Sequence, residues 1–334
     1  MLNNKKIIVI GATGSFGQSF VKYILEKFKL KKLICYSRDE TKQYEMSNLE
    51  IIKKNKKIVR FFIGDVRDLS RLKFAMEDVD IVIHAAALKQ VSIGEYNPFE
   101  VIKTNVIGAQ NVIEASLRSN VKKVIALSTD KAAAPINLYG ASKLCSDKLF
   151  TSANFYTGRR SIKFSVVRYG NVLGSRGSVV PLFLKNKEKN IFHITDERMT
   201  RFNITLNEGV KFVLDTLKVM QGGEIFVPKI PSYKITDIVK AISKNPIIRK
   251  IGIRPGEKLH EEMITHSDSM TTYEFDKYYI IFPHQIYYGE KLKKYLKNYG
   301  KPIKSAARSF SYSSDKNSSF LTINQIKNLI EQNL

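Results

Sequence analysis

The stretch Lys6-Ile7-Ile8-Val9-Ile10-Gly11-Ala12-Thr13-Gly14-Ser15-Phe16-Gly17 decides the fold. Residues 6–10 form a short run of mostly β-branched side chains, which suits a strand. Three glycines follow at the spacing G-x-x-G-x-x-G. An amphipathic pattern then covers residues 16–28, with Phe20, Val21, Ile24, Leu25 and Phe28 at helical spacing. Strand, glycine turn and helix in this order make the phosphate-binding opening of a dinucleotide fold. Gly11 permits the tight turn, Gly14 lets the backbone approach a pyrophosphate, and Gly17 lets the helix pack close. The anion lies on the helix N-terminus. Thr13, Ser15 and Phe16 belong to the same loop and complete its cofactor-facing set.

Working outward, residues 33–36 read as a second strand. A site built for NAD usually places Asp or Glu at its end. Here Ser37-Arg38 follows, with Lys42 one turn later. A hydroxyl and two cations suit a 2′-phosphate, so the expected cofactor is NADP. Val59–Ile63 is a third strand, followed by Gly64-Asp65-Val66; Asp65 is placed to accept from an adenine amino group. Ile81–His84 is a fourth, running into Ala85-Ala86-Ala87, small enough for a flat ring and its ribose to lie against the backbone. Lys89 then reaches toward cofactor or substrate phosphates. Residues 101–117 read as a helix, residues 124–127 as a fifth strand and residues 163–167 as a sixth. Strands alternating with helices imply a parallel sheet with right-handed crossovers. Gly11, Arg38, Asp65, Ala85 and Asp130 each follow a strand, so one crevice at the carboxyl ends can gather them.

The fifth strand delivers Ser128-Thr129-Asp130-Lys131, and a helix spanning residues 139–156 carries Tyr139 and Lys143. Residues four apart share a helix face. An ammonium beside a phenol favours the phenolate and draws the tyrosine pKa down. A tyrosine tuned in this way can take a proton from a sugar hydroxyl. Tyr and Lys four apart also occur on solvated helices; the ordered strands upstream make the catalytic reading the better one.

The second half is less regular. Residues 171–174 (Asn171-Val172-Leu173-Gly174) follow the sixth strand, and residues 195–202 read as a polar loop rich in donors. Residues 206–217 read as a helix, 225–227 as a short strand, and 254–258 as the lead into another helical stretch. Residues 311–319 read as a loop. Thr322 with Gln325 forms a capping box for a last helix ending near Leu334. The expected architecture is α/β: a Rossmann-type doubly wound parallel sheet, with a smaller α/β substrate-binding lobe at the C-terminal end. Residues 1–170 form the NADP-binding core. Residues 171–334 are mainly the lobe, with core segments interleaved.

The 334 residues suffice for one large domain or two modest ones. A net charge of +24 and a pI near 9.8 raise nucleic-acid or membrane binding. The lysines are spread along the whole chain, which fits solvated faces better than a basic tail and leaves no nucleic-acid or membrane partner expected. Such a surface also attracts an anionic substrate. Cys35 and Cys145 read as reduced thiols of a cytoplasmic protein, and the five histidines show no ligand spacing, so no metal site is expected. No apolar run approaches the roughly 20 residues of a membrane-spanning helix, and no signal peptide is read ahead of the first strand.

The combination of residues 11–17, residues 84–87 and Tyr139-x-x-x-Lys143 resembles the extended short-chain dehydrogenase/reductase superfamily. Within it the chain is similar to the soluble inverting UDP-N-acetylglucosamine 4,6-dehydratases, through residues 36–40, 61–68, 84–89, 127–134, 165–181, 198–202 and 254–261. The likeness runs nearly end to end, weakest near residues 50–57 and beyond Ile264. The resemblance implies a hydro-lyase acting on UDP-N-acetylglucosamine, on the way to pseudaminic acid and flagellin glycosylation. It further implies tightly bound NADP recycled within each turnover, and a homo-oligomer. By resemblance Tyr139 takes the 4-hydroxyl proton, while Lys143 supports it and binds the nicotinamide ribose. Thr129 lies near the 4-oxygen. Lys131 removes the C5 proton, which requires surroundings that keep its amine neutral. Asp130, protonated, gives its proton to the departing 6-hydroxyl. Val66, Ala85, Ala86, Ala87, Lys89 and Val172 join the cofactor set. Lys89, Asn171, Thr195, Met199, Arg201, Arg254 and Glu257 form the substrate set, with the arginines at the diphosphate and Glu257 at the uridine ribose. Ser92, Gly94, His193 and Asn203 depart from the pattern near the sugar. The rivals are a UDP-sugar 4-epimerase, a retaining dehydratase, which usually has Asp-Glu in place of Asp130-Lys131, and a dinucleotide-sensing regulator, which commonly lacks the tyrosine.

Overall fold

The computed structural model describes residues 1–175, 177–288, 290–300, 302, 304–305 and 310–333. Its first half supplies β1 (Lys6–Ile10), β2 (Lys32–Ser37), β3 (Val59–Ile63), β4 (Ile81–His84), β5 (Lys123–Thr129) and β6 (Lys163–Tyr169). They pair in parallel in the order β3-β2-β1-β4-β5-β6. The chain builds outward from β1 in one direction, then crosses to its other side at β4. Such a reversal opens a crevice beyond the carboxyl ends of the two strands that flank it. The register aligns Ile10 with both Tyr36 and His84, so Gly11, Ser37 and Ala85 emerge at one edge. Every side chain of β4, and all of β1 except Lys6, is buried. That is why these strands read as continuous apolar runs: helices cover both faces, leaving no solvent side to alternate with.

The second half contributes β7 (Asn171–Val172), β8 (Ile191–Ile194), β9 (Thr200–Ile204), β10 (Ile225–Pro228), β11 (Ser232–Lys234), β12 (Ile247–Lys250), β13 (Glu262–Ile264), β14 (Thr272–Glu274), β15 (Tyr278–Ile281), β16 (Lys304–Ser305) and β17 (Tyr312–Ser313). β10 returns to the main sheet parallel to β6, and β15, β14 and β16 extend it antiparallel. The helix Leu206–Val219, held by a Thr205–Glu208 capping box, packs on the helix Ser15–Lys27. The remaining strands form small sheets, β11-β9-β7, β12-β8 and β13-β17. A second apolar cluster collects Leu173, Phe183, Phe192, Ile194, Tyr233 and Ile238, closed by Ile326 and Ile330 of the last helix. That helix covers Ile323–Asn333; its expected end at Leu334 lies outside the described residues.

Four local expectations are corrected. Residues 195–202 are not all loop, because β9 begins at Thr200 and pairs on both sides with β7 and β11. All five of its residues are buried, and buried Arg201 and Asn203 gave the strand its polar look. No helical stretch directly follows residues 254–258: residues 262–264 extend instead to pair with β17, and the next helix is only His266–Ser269. The same pairing places a strand inside the expected loop 311–319. Finally, the helix expected over 101–117 is broken by a π-helical turn at Lys103–Ile107.

Candidate active site

The glycine turn is shaped as its sequence requires. Gly11 has φ +85°, and a Cβ there would lie 2.7 Å from the Ala86 nitrogen. A Cβ on Gly17 would lie 2.4 Å from the Gly11 carbonyl oxygen. Both glycines are therefore fixed by backbone approach. The helix Ser15–Lys27 starts from Gly14 without a side-chain cap and without an acid in its first turn, so no carboxylate competes there with an incoming anion. Phe16 stacks on Phe20 and leans on Tyr169, at 5.7 and 6.5 Å between ring centroids. These features fit a dinucleotide pyrophosphate.

Around this turn the ribose-side residues are more engaged than the sequence suggested. Arg38 lies 3.5 Å from Asp65, half-exposed. The Asp65 carboxylate accepts from Arg67 through the backbone N–H at 2.9 Å and Nη2 at 2.7 Å. That leaves Asp65 less available to an adenine than expected. Lys42 pairs with Asp39, which also caps the helix Glu40–Ser47. Ser37 is buried, its hydroxyl accepting from Gln43. Arg38 is thus the most exposed cation at the end of β2. Val66 is buried against Gly108, while Ala85, Ala86 and Ala87 leave the crevice floor low. Asn105, in the π turn, brackets Leu88 through N–H and carbonyl at 2.8 Å each, and donates to Ser142 at 3.0 Å. It ties the loop after β4 to the helix bearing Tyr139.

That helix spans Leu138–Ser152 and is capped by Asn137, which accepts from the Gly140 N–H. Asn137 also donates to the Gly256 carbonyl at 2.8 Å, so the cap reaches the loop at 254–257. Gly140 is required: a Cβ would meet the Lys131 carbonyl oxygen at 2.2 Å. Tyr139 does not have the expected depressed pKa. Burial pushes the phenol up to about 12, and the chief opposing influence is the Lys131 cation, helped by a hydrogen bond with Thr129. Lys143 is buried and donates to the Leu127 carbonyl at 2.7 Å; its own pKa is lowered by burial, against the pull of Asp147. Asp147 in turn accepts from Ser128 at 2.8 Å and Arg168 at 3.2 Å. Neighbouring His84 is pushed down to about 3 by burial and then by Lys143, and so stays neutral.

Past β5, Asp130 is fully buried. Its Oδ1 accepts from Thr129 at 2.9 Å and from Lys131 at 3.2 Å. Burial raises the Asp130 pKa over the opposition of Lys131, which suits a carboxyl that keeps its proton. For Lys131 the outcome reverses the expectation of a neutral amine. Burial alone would lower its pKa, but Asp130 and then Glu261 outweigh it and hold the ammonium above the usual lysine range. Glu261 Oε1 lies 3.1 Å from Lys131 Nζ. The sequence reading missed this residue, since a single acid in a run of charged residues gives no spacing signal.

Lys131 opens into a cavity of about 830 Å³. All seven expected substrate residues line it: Lys89, Asn171, Thr195, Met199, Arg201, Arg254 and Glu257. Asn171 accepts from Lys131 at 3.3 Å. Arg201 differs from expectation. It is buried, and its guanidinium donates to the carbonyls of Thr200, Lys258 and Leu259 at 2.7–2.9 Å, bracing the loop at 254–261. Arg254 is the exposed arginine. Ser92 and His193 also line the cavity. No three or more His, Cys, Asp or Glu among the described residues gather where they could hold a metal ion, and no described helix is long and apolar enough to cross a membrane.

A parallel sheet ordered 3-2-1-4-5-6, a glycine cradle after its first strand and a Tyr-x-x-x-Lys helix after its fifth define an extended short-chain dehydrogenase/reductase. The chain belongs to the polysaccharide biosynthesis protein family, which it matches over residues 7–283. It is 52% identical over 335 residues to a UDP-N-acetylglucosamine 4,6-dehydratase (inverting) of Campylobacter jejuni subsp. jejuni serotype O:23/36, covering 99% of this chain and 98% of that one. A protein of the same name from serotype O:2 is 55% identical over 320 residues, covering 95% and 94%. Among solved structures, Pen from Bacillus thuringiensis superposes with a TM-score of 0.86 at 36% identity, covering 99% of both chains.

Proposed function

We propose that this protein is an inverting UDP-N-acetylglucosamine 4,6-dehydratase. The observation that carries the reading is the juxtaposition of a buried acid, an amine and a phenol, Asp130, Lys131 and Tyr139, close enough to shift one another's titration beside a cavity lined by the substrate set. An epimerase needs the phenol but neither Asp130 nor Lys131. The near full-length likeness to two proteins bearing the dehydratase name supports the same choice. In this reading residues 1–170 chiefly hold the dinucleotide and residues 171–334 chiefly the sugar nucleotide.

When bound, the nicotinamide accepts the C4 hydride and later returns it to C6. The residues handle the protons. Tyr139 takes the 4-hydroxyl proton, with Thr129 hydrogen-bonded at its oxygen. The C4 ketone acidifies C5, whose proton passes to Lys131, and Asp130 protonates the departing 6-hydroxyl. Reprotonation on the opposite face inverts C5 and gives UDP-2-acetamido-2,6-dideoxy-β-L-arabino-hex-4-ulose. Arg254 faces the diphosphate and Glu257 the uridine ribose. Incubation with UDP-N-acetylglucosamine tests the assignment: mass spectrometry should show loss of one water, and NMR an inverted C5. An unchanged mass with a new sugar would make it an epimerase, and a retained C5 a retaining dehydratase.

The cofactor in this reading is NADP, with Arg38 on the 2′-phosphate. A charge-assisted hydrogen bond contributes about 1.5–3 kcal/mol, so Arg38→Asp should weaken NADP binding roughly 10–100-fold and improve NAD relative to it. Titration of both dinucleotides decides the matter; undiminished NADP affinity in the variant would place the 2′-phosphate elsewhere.

A further inference from the structure

Glu261 is held in place with unusual completeness for a loop acid. Its N–H donates to the Ser314 hydroxyl at 2.9 Å and its carbonyl accepts from the Ser314 N–H at 2.8 Å. The Ser314 hydroxyl also hydrogen-bonds Thr200 at 2.7 Å. The side chain is 3% exposed and stands in the cavity wall. Oε1 lies 3.1 Å from Lys131 and 3.8 Å from Arg201 Nε. Oε2 is buried without a hydrogen-bond partner among the described residues. Buried carboxylate oxygens are ordinarily satisfied, so a spare lone pair on an acid paired with an ammonium marks a place where a proton can go.

Lys131 poses a problem that this placement solves. To act on C5 it must present a neutral amine, yet two carboxyl groups flank its ammonium. Asp130 is unsuited to receive that proton, because its own task requires it to be protonated already. From the 3.1 Å contact and the free Oε2 we infer that Glu261 is a positioning residue for dehydration: it holds Lys131 Nζ toward the cavity and accepts the proton the amine must shed. An N–H bond of Lys131 breaks and an O–H bond of Glu261 forms. The freed lone pair takes the C5 proton. The C5–H electron pair moves through the enolate into the C5–C6 double bond, the C6–O bond breaks, and the oxygen leaves as water with the proton of Asp130. The three side chains sum to zero charge throughout: Lys⁺, Glu⁻ and neutral Asp at the start, all neutral in between, then Lys⁺, neutral Glu and Asp⁻. The other charges facing the pair are Arg201 and Lys258 toward Glu261, and Lys89 and Arg201 toward Lys131. These cations keep Glu261 ionised until Lys131 supplies its proton.

The inference rests on the dehydratase reading, and one set of assays separates the two. With UDP-N-acetylglucosamine and the NADP-loaded enzyme, Glu261→Gln should keep KM and transient nicotinamide reduction while kcat for water loss falls about 10²-fold near neutral pH. Solvent must then deprotonate Lys131, so the variant's kcat should climb about tenfold per pH unit below the lysine pKa. Wild type should lack that climb. Glu261→Asp, which restores a carboxylate one methylene short, should recover part of the neutral-pH rate. A loss in Glu261→Gln that is equal at every pH and accompanied by lost nicotinamide reduction would reduce Glu261 to a structural role, and wild-type kcat would remove it altogether. If Glu261→Gln fails to fold, Glu261→Asp decides: a lowered kcat with a steeper pH dependence supports the role, and an unchanged profile overturns it. A wild type that releases no water from this substrate sinks both readings.

Discussion

Tyr139→Phe should bind the sugar nucleotide nearly as well as wild type and lose C4 oxidation by roughly 10²–10⁴-fold, the usual contribution of a positioned acid–base group. The substitution removes one oxygen and leaves the ring, so the packing of the helix Leu138–Ser152 is kept. What goes is the atom that receives the 4-hydroxyl proton and its hydrogen bond with Thr129. Single-turnover absorbance in the reduced-nicotinamide band is the direct measure. Transient reduction at the wild-type rate would remove Tyr139 from the chemistry. Since burial holds the phenol at about 12 and Lys131 is the strongest influence drawing it down, wild-type oxidation should also depend on the charge state of Lys131.

That dependence was illegible in the sequence, for a definite reason. Spacing along a helix announced Tyr139 and Lys143 as neighbours, and the strand pattern placed Gly11, Arg38, Asp65, Ala85 and Asp130 at one edge. Those readings rest on local periodicity, which the sheet order preserves. Charge balance among buried groups comes instead from residues brought together across the fold. Glu261 is 130 positions from Lys131 by numbering, and the contact exists because β13 pairs with β17 and Ser314 fixes the preceding loop. Lys143 likewise faces the Leu127 carbonyl because the helix packs on the end of β5. Arg201 looked like a free diphosphate ligand until β9 buried it and gave its donors to the loop at 254–261. Polar residues on buried strands mislead a periodicity argument twice, hiding the strand and advertising a ligand.

Lys131→Ala brings these points to one measurement. An exposed Lys–carboxylate pair contributes only about 0–1 kcal/mol, so if Lys131 were merely an ion-pair partner the variant would turn over almost normally. The structure gives the amine more to do. It is three-quarters covered, with Asp130 at 3.2 Å, Glu261 at 3.1 Å and Asn171 at 3.3 Å, and it opens into the substrate cavity. As the C5 base, its loss should cut dehydration roughly 10²–10⁴-fold while folding, dinucleotide binding and sugar binding persist. Hydride transfer should survive as well, with its pH midpoint moved upward: deleting a cation that lowers the Tyr139 pKa raises it, so oxidation then demands a more alkaline solution. In deuterated water the variant should accumulate reduced nicotinamide and fail to incorporate deuterium at C5. Those two readouts separate the base from its neighbours. Glu261→Gln should regain C5 exchange as pH rises, because the amine is still there to be deprotonated; Lys131→Ala should not regain it at any pH. Exchange and water loss at nearly wild-type rates in Lys131→Ala would move the base to another residue, and with it the case for inversion from the Asp130–Lys131 pair.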